Sequence, residues 1–453
     1  MKEQYDVIVA GGGPSGVAAA IAASRNGCNT LLIEQEAYLG GMATLAGVPA
    51  FGPFTNGEQD LIGGIGREIL EGLKKDGYKS PFYDRKPDRI EGIDWYSIDP
   101  EHLKRVMDDL VTASGCDVLF HTTVTEARFK DGKIEAVRVY NKGGYKWIQA
   151  DYFIDCTGDG DLAAMAGAIW EYGDEDGRVQ SGTLCFRVAN IDVKRFMEYV
   201  DKEGENGNLS VASEKAKKDG RFPLNETKVG GMSLQADGIA GLNFGHVYDL
   251  KPLDPWNKSQ AEMEARRNLP ELITFLREYV PGMEKCVLAS SGPCLGIRES
   301  RRIKGGYTLT KEDYLNRADF PDAIAYYSYP IDIHAALPEK SGKNEKLYQT
   351  SKYKNGERYG IPYRCLIPQG LKNLAVAGRI ISADRIMMSS IRIMSPCFAT
   401  GQAAGTAAAL GIKAGGIDLD DIDTDILRKW LREQKFPAED LNIKSQPYIS
   451  GVL

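Results

Sequence analysis

The chain has 453 residues, of which 43% are hydrophobic and 26% are charged, a composition that predicts a globular protein of about two or three domains. No apolar run reaches the roughly 18 residues that a membrane-spanning helix needs. The net charge of −7 argues against a nucleic-acid partner. The N-terminus has no basic region followed by an apolar stretch, so no secretory signal is expected and the predicted location is cytoplasmic.

The cysteine and histidine content predicts no metal site. The eight cysteines include no CxxC spacing, which excludes the usual zinc-ribbon and iron–sulfur patterns. The four histidines offer little for a histidine-based site. Scattered thiols in a chain without an export signal are typical of reduced, mostly buried cysteines.

A complete β–turn–α–β unit opens the chain. Residues 5–10 (YDVIVA) predict a buried strand, and the glycine-rich turn GGGPSG follows at 11–16. The alanine-rich stretch after it predicts a helix that stops at Gly27, and TLLIE at 30–34 predicts a second strand. This arrangement predicts an α/β fold with a parallel sheet.

The elements that follow indicate an interrupted domain. Residues 97–115 predict an amphipathic helix with a proline in its first turn, and 116–158 predict a β-meander with hairpin turns at Asp131-Gly132 and Gly143-Gly144. Mixed helices and strands follow, including a predicted strand over 323–334. The predicted domains are residues 1–185 as the first part of a nucleotide-binding domain, 186–360 as a cap or substrate domain, 361–412 as its return strand and helix, and 413–453 as a C-terminal tail.

The turn at 11–16 has the GxGxxG spacing of a dinucleotide site. Gly11 permits the tight turn, Gly13 lets a pyrophosphate approach the backbone, and Gly16 lets helix and strand pack closely. The helix start supplies N–H groups for the phosphates, and Ser15 can add a hydroxyl donor. Glu34 ends the second strand, placed to accept both ribose hydroxyls of an adenosine. The motif in this context predicts a bound dinucleotide.

The order of the later motifs favours FAD over NAD. GGMAT at 40–44 follows the second strand almost at once, where an NAD domain normally continues with a crossover helix. IDCTGDGD at 154–161 and AGR at 377–379 each end a strand with small residues. Segments so far apart can meet one extended ligand only if both ends of the chain build the sheet.

These motifs resemble the FAD-binding fold of the glutathione-reductase and fumarate-reductase type. The nearest resemblance is to the FAD-dependent oxidoreductase family related to the flavoprotein subunit of heterodisulfide reductase. It is carried by VIVAGGGPSG, GGMAT, IDCTGDGDLA, GIRESRRIKGGY, YGIPYRCLIPQGLKNLAVAGRIISAD and SSIRIMSPCFATGQAAGTAAAL. It implies a Rossmann-like FAD-binding domain with an inserted β-meander and an interrupting α+β cap.

The resemblance also implies which residues hold FAD. The ADP half is expected at the first turn and second strand, the pyrophosphate and ribityl chain along GGMAT and AGR, and the adenine beside the meander. The flavin ring is expected at the start of the helix over 395–412, whose N–H groups would stabilise charge on the reduced ring. The implied residues are Gly11, Gly13, Pro14, Ser15, Gly16, Glu34, Gln35, Gly41, Met42, Ala43, Thr44, Val124, Thr157, Gly158, Gly378, Arg379, Asp384, Arg392, Ile393 and Met394.

The candidate substrate groups lie in the cap and its return. Arg298 and Arg302 could clamp a carboxylate or another anion, or could belong to a structural ion-pair cluster with Glu299. His334 is the candidate general acid or base, the alternative being a core histidine bonded to a neighbouring carboxylate or to backbone. Tyr363 and Arg364 could line the pocket or serve packing.

The leading hypothesis is an FAD-dependent oxidoreductase that acts on a small polar metabolite. Either the substrate reduces FAD, or reduced FAD reduces a double bond. One alternative is a flavin subunit that relays electrons to an iron–sulfur protein; another is a non-catalytic FAD-binding redox sensor. No nucleic-acid or membrane partner is expected. The sequence leaves open the electron acceptor and whether the chain forms a homo-oligomer.

Overall fold

The computed structural model describes residues 4–75, 89–90, 93–223, 229–338 and 347–436. Residues 437–453 of the predicted C-terminal tail lie outside this range. The helices, numbered in chain order, are α1 (Pro14–Arg25), α2 (Gly64–Lys75), α3 (Pro100–Ala113), α4 (Asp161–Met165), α5 (Val193–Glu203), α6 (Ser210–Lys218), α7 (Pro255–Tyr279), α8 (Lys311–Leu315), α9 (Arg385–Ile391), α10 (Met394–Lys413) and α11 (Thr424–Glu433). Residues 347–350 are also helical.

The strands are short except in the meander. They are β1 (Gln4–Ala10), β2 (Thr30–Ile33), β3 (Ala50–Phe51), β4 (Arg89–Ile90), β5 (Ile93–Asp94), β6 (Tyr96–Ser97), β7 (Asp117–Leu119), β8 (Thr123–Lys130), β9 (Lys133–Asn141), β10 (Gly144–Asp155), β11 (Trp170–Tyr172), β12 (Gly182–Thr183), β13 (Phe186–Ala189), β14 (Met232–Ala236), β15 (Ile239–Leu242), β16 (His246–Val247), β17 (Val287–Ser291), β18 (Arg301–Ile303), β19 (Ala323–Tyr327), β20 (Tyr359–Pro362) and β21 (Leu374–Val376).

The main sheet has seven strands and is built from both ends of the chain. Its order is β7-β2-β1-β10-β9-β8, and β21 pairs with the end of β10. The pairs β1–β2, β1–β10, β2–β7 and β10–β21 are parallel, whereas β8–β9 and β9–β10 are antiparallel. The predicted α/β fold with an inserted meander is therefore confirmed, as is the return of a C-terminal strand to the N-terminal sheet.

The meander and the sheet share one long strand. The first half of β10 pairs with β9 from Gly144 to Gln149, and its second half pairs with β1 as far as Asp155. Both predicted hairpins are present. Asp131-Gly132 forms the first turn as predicted, whereas the second turn is Lys142-Gly143, one residue earlier than predicted, because Gly144 already pairs with Asn141. Helix α3 begins at Pro100, capped by the Asp99 side chain on the Glu101 N–H.

A second hydrophobic core lies in the middle of the chain. It extends from Val179 to Ile297 and packs α5, α6 and α7 with an antiparallel sheet of order β14-β15-β13-β17. The first core takes residues up to Ala168 and again from Ile303 onward. Residues 303–360, which the sequence assigns to the cap, thus contribute side chains to the first core.

The predicted strand over 323–334 is too long. β19 ends at Tyr327, because its partner β20 covers only Tyr359–Pro362 and offers no further main-chain groups to pair with. His334 therefore lies in an irregular segment and not at the end of a strand.

Candidate active site

The glycine-rich turn joins β1 to α1, and two of its glycines are required by the protein itself. Gly11 has φ of +95°, and a Cβ there would be 2.5 Å from the Cys156 carbonyl oxygen. A Cβ on Gly16 would be 1.7 Å from the carbonyl oxygen of Gly11. Neither position has room for a side chain, because strand, turn and helix are in direct contact.

Gly13 is different, because the space beside it is open. A Cβ there would meet only the Cα of Gly41, at 3.9 Å. Gly13 is also the N-cap of α1, and no side chain caps the helix. Pro14 occupies the first helical position, so the N–H groups of the first turn begin at Ser15, which is itself buried. An uncapped helix start beside bare backbone fits a pyrophosphate.

Glu34 lies directly after β2 and points back to the turn. Its Oε2 accepts a hydrogen bond from the Gly12 N–H at 2.6 Å, and its Oε1 accepts one from the Glu36 N–H at 2.8 Å. Burial raises the pKa of Glu34, against the effect of these hydrogen bonds. Each carboxylate oxygen retains acceptor capacity for a ribose hydroxyl. The adjacent Gln35 is exposed.

The GGMAT segment forms a 3-10 turn over Gly41–Ala43 that faces the glycine-rich turn. Gly41 has φ of +50°, and a Cβ there would be 2.9 Å from the Cα of Gly13. Ala43 and Thr44 are buried, and the Thr44 hydroxyl donates to the Leu39 carbonyl oxygen. Met42 is half-buried.

Val124 lies in β8, opposite Val139 of β9, and is half-buried. It therefore lies on the meander, as the sequence predicts.

The motifs after β10 and β21 meet through Arg379. Its guanidinium donates to the Gly158 carbonyl oxygen, to Asp159 Oδ1 at 2.6 Å and to the Ile297 carbonyl oxygen at 2.8 Å. The main-chain N–H of Gly378 donates to Thr400 of α10. Thr157 is engaged with Asp155, whose carboxylate accepts both its N–H and its hydroxyl. The predicted IDCTGDGD and AGR segments therefore lie side by side.

The segment from Asp384 to Met394 contains the last of the predicted FAD-binding residues. Ile393 is the N-cap of α10, Met394 begins it, and no side chain caps it. Asp384 caps α9 through the Met387 N–H and also accepts from the Lys311 N–H. Its carboxylate is thus occupied by the protein.

His334 belongs to a cluster that also contains Asp332, Arg392 and His246. His334 Nε2 lies 3.4 Å from Asp332 Oδ1, and His334 Nδ1 lies 3.1 Å from His246 Nε2. Arg392 Nη2 donates to the Asp332 carbonyl oxygen at 2.8 Å and lies 3.6 Å from its Oδ2. The side chains of Asp332 and His334 are 26% and 23% exposed, so part of each faces solvent.

The charges in this cluster follow from its surroundings. Burial lowers the pKa of His334 to about 3, and the positive charge of Arg298 acts in the same direction. Burial alone raises the pKa of Asp332, but His334, Arg392 and Arg298 outweigh it, and the net shift is below the ordinary value. At neutral pH the cluster holds a carboxylate and a neutral imidazole.

The two candidate arginines have different neighbours. Arg298 Nη1 donates to the Ser181 carbonyl oxygen at 2.7 Å and to Thr183 Oγ1 at 2.9 Å. Arg302 Nη1 instead bonds Glu299 Oε1 at 2.9 Å, and the Glu299 side chain is fully buried. Arg385 pairs with the same carboxylate. Arg302 therefore belongs to the predicted ion-pair cluster with Glu299. Arg298 instead lies near the histidine cluster, because it binds Thr183, which is opposite His246 in the sheet.

Tyr363 and Arg364 lie outside the cluster around His334. The Tyr363 hydroxyl donates to the Leu419 carbonyl oxygen at 2.8 Å, and its side chain is buried. Arg364 forms a two-point contact with Asp322. Neither contact joins the cluster around His334, and both tie the return segment to its own neighbours.

His246 is the member of the cluster that sequence reasoning missed. It lies in β16, opposite Thr183 of β12, and is 88 positions from His334. The one available signal was the scarcity of histidine, since the chain has four. No local pattern connects two residues so far apart.

The cluster lies between the two cores, because Asp332 follows Ile331 of the first core and His246 precedes Val247 of the second. A Cβ on Gly296 would be 3.0 Å from the Thr183 carbonyl oxygen and 3.4 Å from the Cβ of Ala46, two residues after GGMAT. Arg392 connects the cluster to the start of α10. The expected position of the flavin ring and the candidate substrate groups thus lie along one boundary between the two cores, which we call the seam.

All eight cysteines are free, and seven of them are buried. Burial raises the pKa of Cys397 to about 12 and that of Cys156 further still, so both thiols are held protonated. Within the described residues no helix is long and apolar enough to cross a membrane.

The fold and the site together define a dinucleotide-binding flavoprotein. A family model described as FAD dependent oxidoreductase matches residues 6–431, and the chain belongs to this family. The protein is thus an FAD-dependent oxidoreductase, which confirms the predicted family, cofactor and enzyme class. The matched residues include all the motifs that carry the resemblance.

Curated relatives match parts of the chain. A tRNA uridine 5-carboxymethylaminomethyl modification enzyme of Geobacter sulfurreducens is 44% identical over 73 residues, 15% of this chain and 11% of that protein. A dihydrolipoyl dehydrogenase of Haloferax volcanii is 30% identical over 173 residues, 38% of this chain and 32% of that protein. The matches therefore span about a tenth and a third of these relatives.

Solved structures of similar fold cover most of the chain at low identity. A geranylgeranyl bacteriochlorophyll reductase-like protein of Thermoplasma acidophilum is 13% identical, with a TM-score of 0.48 over 95% of this chain and 84% of that one. A p-nitrophenol 4-monooxygenase of Pseudomonas putida is 12% identical, with a TM-score of 0.47 over 98% of this chain and 88% of that one.

Proposed function

We propose that this oxidoreductase acts on a small polar metabolite that carries a carboxylate, bound at the seam beside Arg298, Arg392 and His334. The observation that carries the proposal is the partly exposed Asp332–His334 pair, held by Arg392 just before the start of α10. A proton-handling pair and an arginine at the expected ring end of the flavin are what a redox reaction on such a substrate requires.

The preference for an anion rests on the charges in the cluster. Arg298 and Arg392 contribute two positive charges and Asp332 one negative charge, while His334 is neutral at neutral pH because its pKa is about 3. Arg298 donates hydrogen bonds to the Ser181 carbonyl oxygen, Thr183 Oγ1 and Asn243 Oδ1. Partly buried guanidinium groups favour a carboxylate because it provides two oxygens in a matching plane.

FAD, when bound, supplies a two-electron acceptor or donor for this chemistry. The residues of the chain do the rest. Gly13, Gly41 and the start of α1 would hold the pyrophosphate, and Glu34 the ribose. The arginines would bind and orient the substrate carboxylate, and the histidine cluster would move a proton. The contact between the segment at Ala46 and the cap would exclude water from the seam.

The test is anaerobic reduction of the purified, FAD-loaded protein. The panel contains 2-hydroxy acids, 2-amino acids and unsaturated carboxylates, each paired with its uncharged amide or alcohol. The readout is bleaching of the flavin band for the saturated acids, and reoxidation of dithionite-reduced protein for the unsaturated ones. We expect at least one acid to react and its uncharged counterpart to react at least about tenfold more slowly.

Variants sharpen the same experiment. Arg298→Lys should raise the acid concentration needed for half-maximal rate, because a lysine cannot reproduce the planar guanidinium contacts. The control Arg195→Lys changes an exposed arginine of α5 that pairs with Glu284, and should behave as wild type. A protein reduced by dithionite but by no panel member would contradict the proposal and favour the redox-sensor alternative. Electron transfer only in the presence of an iron–sulfur protein would favour the relay alternative.

A further inference from the structure

The antiparallel sheet of the second core has an apolar side and a polar side. Val188 of β13 and Ala240 of β15 are neighbours in this sheet, and both belong to the second core. Adjacent residues of a strand point to opposite sides of the sheet. Arg187 and Gly241, which are also paired across β13 and β15, therefore face away from the second core.

The polar side of this sheet faces the first core across the seam. A Cβ on Gly241 would be 3.0 Å from the Cβ of Pro49. The Pro49 carbonyl oxygen accepts the N–H of Ile98, a residue of the first core, at 2.9 Å. A Cβ on Gly241 would also be 2.4 Å from Gln235 Nε2, so the side chain of Gln235 covers this glycine. Arg187 and Gln235 thus lie around Gly241, on the seam side of the sheet.

Arg187 is a largely buried cation whose nearest carboxylate lies beyond hydrogen-bond distance. Its side chain is 21% exposed, and its Nη2 lies 3.8 Å from Asp99 Oδ1. The same oxygen of Asp99 accepts the Glu101 N–H and so caps α3. Arg187 Nε is buried and has no hydrogen-bond partner among the residues that the structure describes. Because buried charges are normally paired and hydrogen-bonded, this guanidinium fits an anionic ligand.

Gln235 also has a buried polar atom without a partner. The residue is 3% exposed, and within the described part of the chain its Oε1 has no hydrogen-bond partner. Leaving a buried amide oxygen without a hydrogen bond costs free energy. A glutamine amide can turn to present either its oxygen or its NH2 group. Two such side chains around one glycine indicate contacts to a ligand.

This pair lies close to the residues that hold Arg298. Asn243, two residues after Gly241, accepts a hydrogen bond from Arg298 Nη2 at 3.4 Å. Cys185, two residues before Arg187, has its Sγ 3.9 Å from Asn243 Oδ1. Two residues of an antiparallel strand span about 7 Å. Arg187 is therefore about one such step along the sheet from the residues that bind Arg298.

We propose that Arg187 and Gln235 form a second anion subsite in the seam, and that the substrate carries a second anionic group besides the carboxylate bound beside Arg298. This rests on the proposed function and narrows the substrate to a dianion a few carbon atoms long. A guanidinium binds a carboxylate or a phosphate through two parallel hydrogen bonds, so the second group is one of these two. Ser290, opposite Arg187 in β17, is exposed, so solvent reaches the sheet edge beside the subsite.

The first test measures binding without turnover. The oxidised, FAD-loaded protein is titrated by calorimetry with malonate, succinate, glutarate and adipate, and with the monocarboxylates of equal chain length. We expect at least one dicarboxylate to bind at least about tenfold more tightly than its monocarboxylate. 3-Phosphonopropanoate replaces one carboxylate of succinate with a phosphonate. Tighter binding of this compound than of succinate would identify the second group as a phosphate, and weaker binding as a carboxylate.

Variants locate the subsite. Arg187→Met should lower the affinity for the best dicarboxylate at least about tenfold and change that for its monocarboxylate less than about twofold. Gln235→Glu should also weaken dicarboxylate binding, because it adds a negative charge beside the ligand. Asp99→Asn should strengthen it, because it removes a competing charge while asparagine still caps α3. Arg195→Met, which changes an exposed arginine of α5, is the matched control.

A stability measurement distinguishes a ligand-binding arginine from a structural one. A buried charge without a close counter-ion costs free energy. The FAD-free Arg187→Met protein should therefore unfold at the same urea concentration as wild type or at a higher one. Arg302→Met, which loses a buried ion pair with Glu299, should unfold at a lower concentration.

Three results would overturn the proposal. One is wild-type protein that binds every dicarboxylate no more tightly than its monocarboxylate. Another is wild-type dicarboxylate affinity in Arg187→Met. The third is a less stable Arg187→Met together with unchanged dicarboxylate binding in Gln235→Glu, which would assign Arg187 to a structural pair with Asp99. Failure of every acid to reduce the flavin would contradict the proposed function alone, since binding is measured without turnover.

Discussion

Gly401 of α10 lies against the main chain of Ser15 in α1, so closely that a Cβ on Gly401 would be 2.0 Å from the Ser15 carbonyl oxygen. Gly405 repeats this contact one turn later, where a Cβ would be 2.2 Å from the Ala19 carbonyl oxygen. The two helices therefore pack backbone to backbone. One begins at the expected pyrophosphate and the other at the expected flavin ring, so a single contact sets the position of both ends of the cofactor site.

Gly401→Ala should lower both stability and FAD content. The added methyl group must push α10 away from α1, and overpacking of this kind costs about 1 to 3 kcal/mol. The displacement also moves the first turn of α1. Thermal unfolding of the FAD-free protein and flavin content of the purified protein measure the two effects. Gly306→Ala is the control, since its Cβ would lie at an ordinary 3.6 Å from Arg364. Equal losses in both variants would contradict the argument.

Gly13→Ala should weaken FAD binding and leave the FAD-free protein intact. Its methyl group would meet only the Cα of Gly41 at 3.9 Å, in the space where the pyrophosphate is expected. We expect the Kd for FAD to rise at least about tenfold, a loss of about 1.4 kcal/mol. Fluorescence titration of FAD-free protein with FAD measures the Kd, and urea unfolding measures the stability.

Gly16→Ala is the matched comparison. Its methyl group would be 1.7 Å from the Gly11 carbonyl oxygen, so the FAD-free protein itself should unfold at lower urea. A Gly13→Ala protein that binds FAD as wild type does would show that the open space beside Gly13 is not the phosphate site.

The sequence predicts the features that depend on neighbouring residues. The first β–α–β unit, the helix with Pro100 in its first turn and the meander hairpins are set within a few residues, and the structure has them within one or two residues of the predicted positions. The strand over 323–334 is predicted too long, because its end is decided by β20, more than thirty residues later. The pairing of β21 with β10 could be predicted only because both segments carried cofactor motifs.

Contacts between distant segments also explain two glycine clusters and the position of His246. The glycines near 64 and 305 have no local explanation in the sequence. In the structure, Gly64 has φ of +49°, and a Cβ there would be 2.4 Å from Gln402 Oε1. A Cβ on Gly305 would be 2.7 Å from the Arg364 carbonyl oxygen. His246 was missed for a similar reason, because its partner comes from a segment that only the assembled fold brings near. Long-range packing, which is not encoded in any local pattern, decides these positions.

Asp155 should make the FAD-free protein less stable as the pH rises from about 4 to 7. Burial raises the pKa of Asp155 from 3.8 to about 6, against the hydrogen bonds from Ala163 and Thr157. The folded state therefore holds this proton more tightly than the unfolded state does. The resulting stabilisation is fully present below pH 4 and is lost as the pH rises through about 6, a change of about 3 kcal/mol.

The measurement is the free energy of urea unfolding at several pH values between 4 and 7. Asp155→Asn should have a lower stability throughout, because an amide accepts fewer hydrogen bonds, but a smaller decline with rising pH. The difference between the two slopes, and not either absolute value, reports the buried carboxyl. Parallel slopes for wild type and variant would contradict the assignment.

Glu299→Gln should destabilise the protein strongly, because Glu299 is the shared partner of two arginines. Its fully buried carboxylate binds Arg302 Nη1 and Arg385 Nε, each at 2.9 Å, and accepts the Gln180 N–H at 3.0 Å. Removing its charge leaves Arg385 without this ion pair and leaves Arg302 with the longer contact to Glu171 at 3.7 Å, a loss of about 3 to 5 kcal/mol in urea unfolding. The control Glu68→Gln breaks an exposed pair with Arg25 and should cost less than about 1 kcal/mol.

Arg302→Met extends this argument to the two alternatives for the arginine-rich segment. If Arg302 serves the ion-pair cluster, the variant loses stability while the concentration of acid needed for half-maximal flavin reduction stays at the wild-type value. Arg298→Lys should show the opposite pattern, because Arg298 donates to Ser181 and Thr183, and Thr183 lies opposite His246 in the pair of strands β12 and β16. A raised half-saturating concentration in Arg302→Met would instead assign that arginine to the substrate. The two variants together therefore distinguish an arginine that stabilises the fold, Arg302, from an arginine that binds the substrate, Arg298.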